Sequence, residues 1–208
     1  MVPVGVLSRR RIQNNEPNTM VYSRRSFVKQ GVAGLGLLTF IVAGCEKKLT
    51  PAAARAAGIP LRTLDAAQVH TLEALGDVLL PGSAAAGLAH FIDHQLSGPQ
   101  ADSMLMIKYL GLAPPFTDFY QGGLAGSESA AQKQFSKPFS ELAPNDAKTL
   151  VAGMAKGEAP GWSGPPAPLF FFVLRNDAVD AFYGTPSGFE QLSVPYMAHI
   201  APTTRWGA

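Results

Sequence analysis

Cys45 is the only thiol in 208 residues. A single cysteine excludes an internal disulfide, a cysteine-rich zinc site and a Cys-x-x-Cys-His haem attachment. Charge is also sparse. Asp, Glu, Lys and Arg make up 15% of the chain against 47% apolar residues, a balance that suits a packed core and not a disordered polymer. No segment sustains the apolar–polar alternation of a half-buried strand, and no repeat period appears. Missing too are a Gly-x-Ser-x-Gly elbow, a Walker loop and a Gly-x-Gly-x-x-Gly turn after a strand. Gly31, Gly34 and Gly36 precede no βαβ unit, so they form no dinucleotide site.

What charge there is lies unevenly. Six of the 17 basic residues fall within residues 1–44, where Glu16 is the only acid. The remainder holds 11 basic and 14 acidic residues, so the formal +2 becomes −3 once that segment is set aside. The basic isoelectric point therefore belongs to the leading segment and gives no argument for nucleic-acid binding.

Ser23-Arg24-Arg25-Ser26-Phe27-Val28-Lys29 is followed by an uncharged run from Gly31 to Gly44. A basic region, a short apolar region and small residues at its end are the layout of a secretory signal. The run has 14 residues, short of the roughly 20 that span a bilayer, and its Gly and Ala content makes it weakly hydrophobic. Arg24, Arg25, Phe27 and Lys29 stand at the spacing of a twin-arginine signal, which implies export through the twin-arginine translocase. The alternative, a buried N-terminal helix, lacks a polar face between Leu35 and Ala43. Met20 lies just ahead of the motif, and translation from it gives a compact signal.

Val42-Ala43-Gly44-Cys45 resembles a lipobox, in which the cysteine is lipidated and becomes the first residue of the mature chain. More than one acyl chain on Cys45 would anchor the protein stably to a membrane. The expected organisation is a signal over 1–44, a small and polar tether over 45–62, and one domain over 63–208.

That domain reads as all-α with long Gly/Pro-rich loops. Asp65 suits an N-cap with Gln68 three residues on, and Leu72, Leu75, Leu79 and Leu80 continue an apolar face until Pro81-Gly82. Further helices are expected near 87–96, from Pro99 to Leu110, from Phe116 to about Gly123, from Ser129 to Phe135, from Pro144 to Met154, and from Pro168 to Tyr183. Gly122, Gly123 and Gly126 weaken the one from Phe116 to about Gly123. The tail after Gly184 is expected to be mostly irregular.

Candidate chemistry is thin. His90 and His94 share a helix face beside Asp93, a start on a metal site. No third local ligand and no His-Glu-x-x-His pattern accompany them, so a surface or half-buried histidine pair is the better reading. His70 and His199 stand alone, and Glu73 with Asp77 fits a solvated helix side. Phe172, Arg175, Asp177, Asp180 and Tyr183 make a mixed polar and apolar edge on the last long helix, either a surface that docks a partner or an ordinary exposed face on which Arg175 pairs with carboxylates one turn away. No residue is assigned to catalysis, to a cofactor or to a metal.

Three segments resemble the small (third) subunit family of gluconate 2-dehydrogenase. They are Thr63 through Gly82, His90-Phe91-Ile92-Asp93, and Phe171-Phe172-Val173-Leu174-Arg175-Asn176-Asp177-Ala178-Val179-Asp180-Ala181-Phe182-Tyr183-Gly184-Thr185-Pro186. The resemblance implies a subunit without flavin or haem of its own. It would accompany a large FAD-containing dehydrogenase of the glucose–methanol–choline type, often with a cytochrome c subunit carrying haem c. The large subunit would oxidise a sugar, sugar acid or polyol in the periplasm, and the small one would help it mature and share its twin-arginine signal for export. A free-standing periplasmic lipoprotein with a binding or structural role is the first rival reading, and an independent metal-dependent enzyme using His90, Asp93 and His94 is the second.

Overall fold

The structure, a computed structural model, describes residues 37–42 and 45–193. The twin-arginine residues Arg24, Arg25, Phe27 and Lys29, the Ala43-Gly44 pair and the end of the tail lie outside the described residues. The body is helical, as expected. It is preceded by an antiparallel hairpin of β1 (Leu38–Val42) and β2 (Cys45–Leu49), paired from Leu38–Leu49 to Val42–Cys45. Then follow α1 (Pro51–Ala56), α2 (Ala66–Leu79), α3 (Leu88–Ser97), α4 (Met106–Tyr109), α5 (Thr117–Phe135), α6 (Pro144–Lys156), α7 (Ala167–Tyr183) and α8 (Pro186–Gln191).

The local signals explain most boundaries. Asp65 accepts the Gln68 N–H at 2.8 Å while Gln68 Oε1 accepts the Asp65 N–H at 3.0 Å, a reciprocal box that satisfies two donors at the start of α2. Pro144 opens α6, where its missing N–H costs nothing, and Gly157 ends it with a φ of +77°, a conformation open to a residue without a Cβ.

α7 organises the core, packing against α2, α3, α4, α5, α6 and α8. Its buried residues Phe170, Val173, Leu174, Ala178 and Ala181 recur at helical spacing and meet Leu72 and Leu75 of α2, Leu88 and Ile92 of α3, and Leu150 and Met154 of α6 in one cluster. Each large side chain so buried contributes about 2 kcal/mol from apolar area alone.

Three expectations change. The helix expected from Pro99 to Leu110 is instead a 3₁₀ turn over Gln100–Asp102 and the single turn of α4. Leu105 and Ile107 are buried, so this stretch follows the core surface where a straight helix would leave it. The two short helices expected within 116–135 are one, α5, glycines included. A Cβ on Gly123 would stand 2.2 Å from the Phe170 ring, and one on Gly126 would stand 2.6 Å from the Ser163 carbonyl oxygen. The glycines therefore admit α7 and the 162–165 loop to close range, and that packing outweighs their low helix propensity. In the tail, Thr185 caps α8 by accepting the Gly188 N–H at 3.2 Å.

The span expected as a tether also carries structure. β2 runs into Thr50, which caps α1 through the Ala53 N–H, and Ala54 and Ile59 are buried. The small, polar composition of 45–62 concealed these few apolar anchors.

Candidate functional site

Residues 90, 93, 94 and 97 fall on one face of α3, and that face meets the segment that precedes the helical body. Asp93 is buried and accepts three backbone N–H groups, from Arg62 at 2.9 Å, Thr63 at 2.7 Å and Leu64 at 2.9 Å. His90 Nε2 lies 3.0 Å from the Ile59 carbonyl oxygen and His94 Nε2 lies 3.0 Å from that of Thr39. A carbonyl only accepts, so each ring donates from Nε2, and in the neutral form Nδ1 is bare. Burial pushes His94 below the usual histidine range, and the nearby Arg62 guanidinium acts the same way; the Thr39 carbonyl and Asp93 pull against them. Both imidazoles and the carboxylate thus fasten the chain between 39 and 64. Among the described residues no group of three or more His, Cys, Asp and Glu side chains is placed to hold a metal ion.

Glu73 and Asp77, expected on a solvated helix side, each have a partner. Arg55 of α1 reaches Glu73 with Nε at 2.8 Å and Nη2 at 3.1 Å, a two-pronged pair. Asp77 accepts the Ala84 N–H at 3.0 Å.

The docking edge expected on α7 divides. Asp177 is 0% exposed and lies in the core. Its carboxylate accepts the Met106 N–H at 2.8 Å and the Tyr120 hydroxyl, joining α4, α5 and α7. Burial pushes this acid up to about 7 against the opposing pull of those two hydrogen bonds, with the charge of Asp180 adding to the rise. Burial and the neighbouring carboxylate likewise push the Tyr120 phenol well above its ordinary value. The helical phase held the signal for this placement: 170, 173, 174, 177, 178 and 181 form one stripe, with Asp177 in its middle.

The other four remain outside. Phe172 is 44% exposed, Val179 is 40% exposed, Arg175 and Asp180 are exposed, and Tyr183 is half-buried. Pro168, Phe172, Arg175, Val179 and Tyr183 follow one another at three- and four-residue steps, so an apolar stripe runs along the outer side of α7 with Arg175 within it. Among the described residues Arg175 makes no ion pair. Sequence reasoning passed over Val179 as a surface residue, and also Tyr109, Leu110 and Leu112, which project at the end of α4 and just after it.

A cleft of about 300 Å³ opens between α2 and α5, lined by Asp65, Gln68, His70, Thr71, Gln121 and Glu128. Both of its acids are committed to structure, Asp65 as the cap of α2. Glu128 accepts the Thr71 hydroxyl at 2.6 Å and the Phe139 N–H at 3.1 Å, tying α2 and the 139–141 turn to α5. Nothing here pairs a nucleophile with a base. Cys45 is exposed at the start of β2 with a free thiol. Among the described residues no helix is long and apolar enough to cross a membrane.

The family model described as Gluconate 2-dehydrogenase subunit 3 covers residues 66–200, from the start of α2 to beyond α8. No curated protein and no solved structure matches the chain.

Proposed function

The chain belongs to the gluconate 2-dehydrogenase subunit 3 family, and on that premise we propose that it is the non-catalytic small subunit of a periplasmic, membrane-bound, FAD-dependent dehydrogenase acting on a sugar, sugar acid or polyol. The flavin belongs to a large partner of the glucose–methanol–choline type, and haem c to a cytochrome subunit where the complex has one. This chain escorts the flavoprotein. It supports maturation of the FAD-loaded partner, and its Arg24-Arg25 signal takes the folded pair through the twin-arginine translocase. Cys45, once lipidated, anchors the assembly to the membrane.

The observation that carries this reading is the family match over the helical body, 66–200. The exposed stripe of α7 supports it physically. Phe172 and Val179 stand on a helix whose opposite side is fully packed, and an apolar stripe that water covers in the lone chain is the kind of surface a permanent subunit interface buries.

Co-purification after mild detergent extraction tests the proposal. The expected result is a yellow partner of flavoprotein size, with flavin absorbance in that partner and none in this chain. A lone, colourless monomer recovered from cells that make the complex argues against it.

A further inference from the structure

We propose that the helical body holds the apolar run of its own leader, through burial of Leu38 and Phe40 and the Thr39–His94 hydrogen bond, so that export requires this strand to come away. The inference rests on the reading of residues 1–44 as a signal.

β1 lies inside the uncharged run from Gly31 to Gly44. Leu38 is 5% exposed and Phe40 is 8% exposed, and both belong to the same buried cluster as the residues of α2, α3 and α7. Thr39, between them, turns outward and offers its carbonyl oxygen to His94 Nε2 at 3.0 Å. The Phe40 ring meets the His94 ring edge to face, with centroids 5.2 Å apart. β2 completes the pairing of β1, and α1, which follows β2 directly, packs on α3. The strand is therefore held along its length by β2 and across its inner face by the body.

A translocase reads such a run as exposed apolar surface. The atoms of Leu38 and Phe40 cannot be buried in the body and presented to a receptor together. The two states exclude one another, so the fraction of chains with a readable signal follows the docking equilibrium of β1. His94 sets that equilibrium from the body side, without belonging to the signal. The contact is well suited to release: a cavity of about 90 Å³ lies beside it, lined by Thr39, Ile41, Pro60, Arg62, Asp93 and Ser97, so the strand is not sealed in on every side.

The test uses the full, unprocessed chain. In hydrogen exchange, amides of 38–42 and 45–49 are expected to be protected. In His94→Ala their exchange should rise about tenfold, the effect of losing roughly one hydrogen bond with its ring contact. Amides of α2 and α7 should stay as they were. His94→Gln, which keeps a donor at the position of Nε2, should restore most of the protection. In pulse-chase export, His94→Ala should leave the cytoplasm faster than the parent chain and His94→Gln at close to the parent rate. Hairpin amides that exchange in the parent chain like those of an unstructured peptide overturn the proposal. Unchanged export in His94→Ala, beside blocked export in an Arg24→Lys, Arg25→Lys variant, overturns it alone. Normal export of the arginine variant sinks the signal reading and the proposal with it.

Discussion

Tyr120 of α5 donates its phenolic hydrogen to the carboxylate of Asp177 on α7, and both side chains are wholly buried. With the Met106 N–H on the other carboxylate oxygen, the pair fixes three helices to one another. The arrangement is costly when ionised, because a buried carboxylate loses its water and two hydrogen bonds replace only part of it.

Stability should therefore depend on pH through Asp177. Its folded-state value, about 7, lies above the ordinary 3.8. Folded chains bind a proton in this range that unfolded chains do not, so the contribution is fully present below about pH 4 and is lost as pH rises to about 7. Unfolding free energies from urea titrations should fall over that window by an amount on the order of a few kcal/mol, and Asp177→Asn should flatten the slope. A parent-like slope in Asp177→Asn would assign the effect elsewhere.

Tyr120→Phe removes one of the two donors to Asp177 and should destabilise the domain by roughly 1–3 kcal/mol. The loss should be larger at pH 8 than at pH 5, since the Tyr120 bond favours the charged carboxylate. Chemical denaturation at both pH values checks the sign; equal losses would mean that the hydroxyl does not serve the charge.

Gly123→Ala sets helix propensity against space. In an open helix the change would gain about 1 kcal/mol. Here the new Cβ would stand 2.2 Å from the Phe170 ring, so α5 and α7 must part, at a cost of about 1–3 kcal/mol. Thermal unfolding should show a lower midpoint.

Asp93→Ala leaves the Arg62, Thr63 and Leu64 N–H groups without their acceptor. A loss of roughly 2–4 kcal/mol is expected, with faster amide exchange confined first to 59–64. Asp93→Asn retains one acceptor oxygen and should lose less. The measurement is a denaturation curve paired with hydrogen exchange.

Phe172→Glu with Val179→Glu changes only exposed positions, so stability should stay within about 0.5 kcal/mol of the parent. Recovery of the flavoprotein partner should fall at least about tenfold, because apolar anchors at an interface carry most of its affinity. Asp177→Asn should show the reverse pattern, altered stability with the partner retained. Undiminished recovery of the partner by the double variant would move the interface off α7.

The helices that announce themselves in the sequence do so through chemistry within one turn. Asp65 and Gln68 begin α2, Pro144 begins α6, and the apolar phase of 170–181 marks α7. The same phase placed Asp177 inside, but its charge drew it to the surface edge in the reading of the sequence. For His90, Asp93 and His94 the sequence argued against a metal site but left their partners unread, because spacing alone does not reveal what a ring or carboxylate will meet.

The amino-acid sequence determined by itself where α2, α6 and α7 lie and which of their sides are apolar, since capping, proline geometry and periodicity act over a few residues. Tertiary structure alone decided which glycines of α5 serve as contact surfaces, which carboxylates are fastened to backbone, and which apolar stripe of α7 is left facing water. Those outcomes depend on the shape and donors of segments tens of residues away, and no local pattern contains them.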